Sequence, residues 1–129
     1  MSLTRAVTNS TILVLDDDPS VAALYAVTLE AAGHHVIVCT GYEEAKAYLK
    51  QQEVPRGLLT DVRVREFNGL QLAIFYRSIS PDGALLVVSG HDDVVIRNEA
   101  AQIGARFLLK PVGLDDLTSF FADKVSAGS

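Results

Sequence analysis

Three consecutive aspartates, Asp16, Asp17 and Asp18, directly follow a short apolar run at positions 12–15. A run of this length is typical of a buried strand, so the carboxylates are expected at the carboxyl end of a strand, where α/β proteins place their ligand sites. Two like charges about 4 Å apart repel by roughly 4 kcal/mol at an effective dielectric constant near 20. The cluster therefore indicates a site for a metal cation.

The elements that position this cluster are visible as apolar runs at regular intervals, with segments of helical character between them. This alternation is typical of a parallel sheet covered by helices on both faces. The sequence predicts an α/β fold with five parallel strands and five helices. If the strand order is 2-1-3-4-5, a crevice opens between the first and third strands. The predicted strands are 12–15, 36–39, 57–59, 84–88 and 107–109.

Polar residues follow three more of these strands: Asp61 the third, Ser89 the fourth and Lys110 the fifth. All would approach the same crevice as Asp17. Carboxylate oxygens suit Mg²⁺, and beside a cation one carboxylate can act as a nucleophile on phosphorus. The Lys110 ammonium and the Ser89 hydroxyl suit phosphoryl oxygens. The pattern therefore predicts phosphoryl chemistry.

Helix signals complete the predicted order. Asp18 is expected to cap the first helix and Gly33 to end it, and the last helix is expected to run from about Leu114 to Lys124. Two histidines, His34 and His35, are expected in an exposed loop. The inward faces of the first and last helices are predicted to carry Val21, Leu24, Tyr25, Thr28 and Ala32, and Leu114, Leu117, Phe121 and Val125.

Composition limits the function classes. A chain of 129 residues with 49% hydrophobic residues is expected to form one globular domain. Its net charge of −5 and scattered cations argue against direct nucleic-acid binding. No stretch reaches the roughly 18 apolar residues of a membrane helix, the start lacks a signal peptide, and the single Cys39 is expected in the core. We expect a cytoplasmic protein with tails at 1–10 and 126–129 around a domain at 11–125.

Five stretches together carry a resemblance to a known family. In this order and at this spacing, they resemble the receiver domain of two-component response regulators over about residues 11 to 125. The fold that the resemblance implies is the flavodoxin-like receiver fold. The stretches are Ile12-Leu13-Val14-Leu15-Asp16-Asp17-Asp18-Pro19, Leu58-Leu59-Thr60-Asp61-Val62-Arg63, Asn68-Gly69-Leu70, Val87-Val88-Ser89-Gly90 and Gly104-Ala105-Arg106-Phe107-Leu108-Leu109-Lys110-Pro111.

The resemblance implies a role for each acid. Asp61 matches the phosphoacceptor, which takes a phosphoryl group from a sensor histidine kinase or a histidine phosphotransfer protein. Asp17 matches a direct ligand of Mg²⁺ or Mn²⁺, and Asp16 one that acts through coordinated water. The backbone carbonyl of Arg63 matches the remaining protein ligand.

It also implies a switch. Ser89 matches the switch hydroxyl, Lys110 the lysine that binds the phosphoryl group, and Phe107 the aromatic ring whose rotation reports phosphorylation. The fourth helix, fifth strand and fifth helix form the family's usual output face. Phe120 lies off the centre of the last helix's apolar stripe and is expected to contact a partner. A phosphorylation-dependent homodimer and an effector domain outside this chain are both compatible with this pattern.

The loop after the phosphoacceptor departs from the family pattern. Val64 and Arg65 replace the usual Met-Pro, which predicts a more mobile loop. Arg63, Arg65 and Glu66 add charge beside the site. Arg63 and His91 match positions that overhang the phosphoryl group, and we expect them to tune its lifetime.

Two other functions stay open at this stage. A phosphatase of the haloacid-dehalogenase type would use Asp16 as its nucleophile, but it would leave Asp61 unexplained. A receiver-like adaptor would bind partners without phosphorylation, although this chain keeps the full set of residues that phosphorylation requires. The 129 residues are expected to hold a receiver without an effector module, and this receiver is either a stand-alone protein, the excised receiver of a longer regulator or the terminal receiver of a hybrid kinase.

Overall fold

In a computed structural model, the chain is described at residues 10–51, 53–64, 67–122 and 124–125. Strands and helices alternate, as the sequence predicts, and the five strands of the main sheet are numbered here β1 to β5. The elements in chain order are β1 (Thr11–Leu15), α1 (Pro19–Ala31), β2 (His35–Cys39), α2 (Tyr42–Leu49), β3 (Gly57–Asp61), α3 (Gly69–Ile79), β4 (Ala84–Ser89), α4 (Val94–Gln102), β5 (Arg106–Leu109) and α5 (Leu114–Ala122).

The main sheet is parallel and has the order β2-β1-β3-β4-β5, which confirms the predicted order. Leu15, the last residue of β1, pairs with Cys39 of β2 and Thr60 of β3. At the other edge, Ser89 at the end of β4 pairs with Leu109 at the end of β5. The carboxyl ends of the strands are therefore aligned at one edge of the sheet.

Alternate residues of the strands point into two separate cores. On one face of the sheet, Leu13 and Leu15 pack with α2, α3 and α4, and Cys39 lies buried among them as expected. On the other face, Ile12 and Val14 pack with α1 and α5. Because helices cover both faces, the central strands are apolar on both sides, and that explains why their sequences are continuous apolar runs.

The first helix begins as predicted. The Oδ1 atom of Asp18 accepts hydrogen bonds from the backbone nitrogens of Ser20 at 2.9 Å and Val21 at 3.4 Å. Gly33 follows the helix with φ of 99°, a conformation that favours glycine. Asp18 is therefore committed to capping α1.

The predictions of which residues face inward were partly wrong for two helices, α1 and α5. Leu24, predicted to face inward from α1, is 50% exposed, and Leu29 is buried instead. Apolar residues surround α1 on all sides, so their spacing does not identify the buried face. Leu114 is 41% exposed because it lies in the first turn of α5, beyond the edge of the core that Leu117 and Phe121 occupy.

His34 also differs from the expectation, since it is buried with 5% of its surface exposed, whereas His35 is exposed. The backbone nitrogen of His34 donates to the Leu29 carbonyl at 3.1 Å. This bond folds the chain back over the end of α1 and carries the ring inward. The Nδ1 atom of His34 has no hydrogen-bond partner among the described residues.

A small hairpin follows β3, and the greater mobility expected of this loop stays a prediction. Arg63–Val64 pairs antiparallel with Phe67–Asn68, on either side of positions 65–66. Buried Val64 anchors the first strand of this hairpin. Arg65 and Glu66 lie outside the described residues, as do residues 1–9 and 126–129, so the tail boundaries stay predictions.

Two strands also extend past the carboxyl ends of their apolar runs, since β3 includes Thr60 and Asp61, and β4 includes Ser89. None of the helices in the described part of the chain combines the length and the apolar character that crossing a membrane requires.

Candidate functional site

Three carboxylates meet where β1 and β3 end. Asp16 and Asp17 follow β1, and Asp61 is the last residue of β3, the neighbouring strand. One carboxylate oxygen from each lies within 4.8 Å of the others. Asp16 and Asp61 are buried and Asp17 is half-buried. The crevice predicted between the first and third strands therefore holds the three predicted acids.

Lys110 joins this cluster from the end of β5. Its Nζ atom donates to Asp16 Oδ2 at 2.8 Å and to Asp61 Oδ2 at 3.1 Å. Its backbone nitrogen donates to the Ser89 carbonyl at 2.8 Å, and the peptide bond to Pro111 is cis. Burial lowers the pKa of Lys110, but the bonds and charges of the two carboxylates outweigh it and raise the pKa above its ordinary value. Lys110 is therefore a fixed positive charge in the site.

Both oxygens of Asp16 have partners. Oδ1 accepts from the backbone nitrogen of Asp18 at 2.9 Å, and Oδ2 accepts from Lys110. The residue is fully buried, whereas Asp17 is half-buried. Asp17 is therefore more open to solvent than Asp16.

Asp61 is held at both of its oxygens. Oδ1 accepts from the backbone nitrogen of Arg63 at 3.2 Å, and Oδ2 accepts from Lys110. Burial raises the pKa of Asp61 above its ordinary value, although the hydrogen bonds and charge of Lys110 and the bond from Arg63 act against this rise. Because burial removes water from the Asp61 carboxylate, only a few groups stabilise its negative charge. A carboxylate that is poorly solvated reacts more readily with an electrophile.

Gly69 permits the close approach of chain segments behind Asp61. A Cβ atom at this position would lie 1.7 Å from the Asp61 carbonyl oxygen and 2.8 Å from Thr60 Oγ1. The Gly69 nitrogen donates to the Val62 carbonyl at 2.5 Å. The absence of a side chain at the start of α3 lets the chain pass close to the end of β3.

The Ser89 hydroxyl is turned toward its own loop. It donates to the His91 carbonyl oxygen at 3.0 Å and accepts from the His91 nitrogen at 3.1 Å. Ser89 is 4% exposed, at the end of the strand that pairs with β3. The side chains of His91 and Arg63 are exposed, at the edge of the site.

The two predicted aromatic residues, Phe107 and Phe120, are both half-buried. Phe107 is half-buried, and the Arg97 guanidinium carbon is 4.7 Å from its ring centroid. Phe120 is also half-buried and meets Phe121 edge to face, with their centroids 4.9 Å apart. Its ring borders a cavity of about 150 Å³ whose walls include Arg106, Leu108, Asp116, Ser119 and Lys124.

The acids and the lysine that the sequence predicted lie together, but the contacts that support them were not predicted. The bond from the Arg63 amide to Asp61 and the contact between Arg97 and Phe107 left no signal, because each depends on how loops and helices pack. The approach at Gly69 had one signal, the Asn-Gly pair directly before a helix.

The donor set matches a hard divalent cation. Three carboxylates supply oxygen ligands of the kind that Mg²⁺ and Mn²⁺ prefer. Lys110 supplies a further positive charge that a phosphoryl oxygen can approach. Together these groups can neutralise a phosphoryl group while a carboxylate oxygen attacks it.

Comparison with known proteins gives one consistent result. A family model described as "Response regulator receiver domain" matches residues 12–122. The response regulator receiver protein CpdR of Brucella abortus is 34% identical over 111 residues, which cover 84% of this chain and 90% of that protein.

A longer relative and a solved structure agree. The transcriptional regulatory protein GlrR of Escherichia coli is 28% identical over 107 residues, which are 82% of this chain but only 24% of GlrR. The crystal structure of a CheY-like receiver domain protein from Methanospirillum hungatei superposes with a TM-score of 0.83 at 23% identity, covering 90% of this chain and 93% of that one. At that identity the likeness concerns the fold.

Proposed function

The chain belongs to the response regulator receiver domain family of two-component signal transduction, and from this premise we propose that Asp61 is its phosphoacceptor. The observation that carries the proposal is the position of the Asp61 carboxylate, which accepts a hydrogen bond from the Lys110 ammonium and has an oxygen within 4.8 Å of one oxygen of each of the other two acids. Asp16 is less suited to the role because its side chain is fully buried, whereas the Asp61 side chain is 10% exposed.

The proposed reaction is a transfer from phosphohistidine. An oxygen of Asp61 attacks phosphorus, the new O–P bond forms as the P–N bond breaks, and the imidazole leaves with the bonding electron pair and takes up a proton from water. Lys110 stabilises the negative charge on the phosphoryl oxygens, and so does the Ser89 hydroxyl once it turns toward them. The signal ends by hydrolysis: water attacks phosphorus, inorganic phosphate is released and the Asp61 carboxylate is restored.

We further propose that Asp17, Asp61 and the Arg63 carbonyl hold Mg²⁺ or Mn²⁺, with Asp16 acting through water. When bound, the metal neutralises phosphoryl charge and helps to orient the group for in-line attack. The three close carboxylate oxygens support this assignment.

The output is proposed to run through Ser89 and Phe107. When Ser89 leaves the His91 backbone for a phosphoryl oxygen, the space it vacates favours a new position of the Phe107 ring, and the surface formed by α4, β5 and α5 changes. Phe120, half-buried on α5, is the proposed partner contact on that surface.

The proposed partners are a sensor histidine kinase or a histidine phosphotransfer protein, an effector outside this chain, and a second copy after phosphorylation. The chain acts on no substrate other than its own phosphoryl group. Arg63 and His91 are proposed to set the lifetime of that group, since Arg63 adjoins Asp61 and the exposed His91 follows Ser89.

The test is incorporation of labelled phosphate from acetyl phosphate in the presence of Mg²⁺. We expect the wild-type protein to be labelled, and the label to be lost in Asp61→Asn. Asp115→Asn, which removes an exposed carboxylate at the start of α5, is the matched control and should be labelled normally.

Each alternative has its own outcome in this experiment. A phosphatase would keep its label in Asp61→Asn and lose it in Asp16→Asn. A phosphorylation-independent adaptor would incorporate no label at all. For Arg63→Ala and His91→Ala, decay of the label at the wild-type rate would refute their proposed role.

A further inference from the structure

Arg97 of α4 makes two contacts that join separate parts of the proposed switch. Its guanidinium lies over the Phe107 ring at 4.7 Å. Its Nη2 and Nε atoms also donate to Asp92 Oδ1, at 2.5 and 3.2 Å. Asp92 belongs to the loop between β4 and α4, which follows Ser89 directly. One side chain therefore connects the loop beside the switch hydroxyl with the switch aromatic ring.

The same loop is also held by hydrogen bonds between Ser89 and the loop backbone. The Ser89 hydroxyl makes two bonds with the backbone of His91, the residue before Asp92. A serine that turns toward a phosphoryl group on Asp61 must give up both bonds. The first part of the loop, which leads from Ser89 to Asp92, then loses two of its hydrogen bonds. The end of the loop stays in place, because Asp93 still caps α4 by accepting bonds from Val95 and Ile96.

We propose that Arg97 is a positioning residue that holds Phe107 in its resting position, and that Asp92 keeps Arg97 on the ring until Ser89 moves. The inference rests on the proposed function of Ser89 and Phe107. Movement of Ser89 displaces Asp92, Arg97 loses its anchor, and the ring is released. Arg97 thereby disfavours the phosphorylated conformation in the resting protein.

The chemistry of the three side chains supports this arrangement. Phenylalanine has no hydroxyl, so its ring can be held only by packing and by a cation on its face. A guanidinium suits both tasks at once, because it stacks on a ring and donates in the same plane to a carboxylate. Both charged side chains are about half exposed, at 47% for Arg97 and 58% for Asp92. Contacts of this kind are weak, and each shifts a two-state equilibrium by roughly two- to fivefold.

The test compares the wild-type protein with Arg97→Ala, Arg97→Lys and Asp92→Asn. Phe107 ring signals are followed by NMR during titration with beryllofluoride and Mg²⁺. We expect Arg97→Ala and Asp92→Asn to move the Phe107 signals of the free protein toward the beryllofluoride-bound position. They should also lower the half-saturating concentration of beryllofluoride by roughly two- to fivefold. Arg97→Lys should fall between wild type and Arg97→Ala, since ammonium keeps the charge but loses the planar stack.

The matched control is Lys124→Ala, which removes a cation 4.9 Å from the centroid of the Phe120 ring. Lys124 lies just after α5 and makes the same kind of contact with a ring of that helix, so its removal should leave the Phe107 signals and the titration unchanged. If wild type binds beryllofluoride and moves Phe107 but neither Arg97→Ala nor Asp92→Asn alters the titration, the inference is overturned and the proposed function stands. If beryllofluoride moves no signal at Asp61 or Phe107 in the wild type, the proposed function fails and the inference fails with it.

Discussion

Replacing Lys110 with methionine removes the cation of the site and keeps most of its aliphatic stem. In the wild type this cation lies 2.8 Å from Asp16 Oδ2 and 3.1 Å from Asp61 Oδ2. The Lys110 side chain is 25% exposed, the Asp61 side chain 10% and the Asp16 side chain fully buried. Breaking a buried ion pair costs about 3–5 kcal/mol, and the partial exposure of Lys110 places this case near 3 kcal/mol.

The loss of stability in Lys110→Met should become smaller as the pH falls. Burial already raises the pKa of Asp61, and Lys110 acts against that rise, so the pKa is higher still in Lys110→Met. A carboxyl with a raised pKa takes up a proton in the folded state before it does so in the unfolded state. Acidification therefore favours the folded variant, and the difference in unfolding free energy between wild type and variant should shrink as the pH falls.

Urea unfolding followed by circular dichroism, without divalent cations, measures this difference across the pH range. Lys50→Met is the matched control, because Lys50 is exposed after α2 and its loss should change stability by less than about 0.5 kcal/mol. Phosphorylation of Lys110→Met by acetyl phosphate should also be about 100-fold slower. Equal stability of Lys110→Met and wild type at neutral pH, or a gap that widens on acidification, would refute the reasoning.

Three further predictions concern residues outside the reaction. Burial lowers the pKa of His34 below its ordinary value, so the wild-type protein should lose stability as the pH falls below about 6.5. In urea unfolding, His34→Gln should abolish this loss and His35→Gln should keep it. Burial raises the pKa of Cys39 from 9.0 to about 11, so at mildly alkaline pH its thiol should react with Ellman's reagent about 100-fold more slowly in folded than in unfolded protein. Equal rates would contradict its burial. Gly69→Ala should cost about 3 kcal/mol, because its Cβ would lie 1.7 Å from the carbonyl oxygen of the proposed phosphoacceptor; Gly90→Ala, with no atom within 4 Å, should be nearly neutral in chemical denaturation.

The fold could be predicted because its strands are apolar on both faces. Continuous runs such as 12–15 and 84–88 identify buried strands, and the polar residues after them mark the edge where a site forms. The ends of β3 and β4 were less predictable. Thr60, Asp61 and Ser89 are polar, but the ladder of backbone hydrogen bonds continues through them.

The burial of some residues depends on tertiary packing, which the local sequence does not indicate. Leu24 and Leu29 are equally apolar, and only the docking of α1 on the sheet buries one and exposes the other. His34 is buried because the chain reverses over the end of α1. Buried Val64 belongs to a hairpin after β3 that the sequence did not predict. In the site, the types of the acids and lysine were readable, whereas the supports from Arg97 and the Arg63 amide were not.

The most direct test of the central claim is to locate the phosphoryl group on the chain. The protein is phosphorylated with acetyl phosphate and Mg²⁺, reduced with borohydride, which converts an aspartyl phosphate to homoserine, and analysed by peptide mass spectrometry. The account predicts homoserine at position 61 in the wild-type protein, with unmodified aspartate at positions 16 and 17. Homoserine at position 16, with position 61 unmodified, would contradict it.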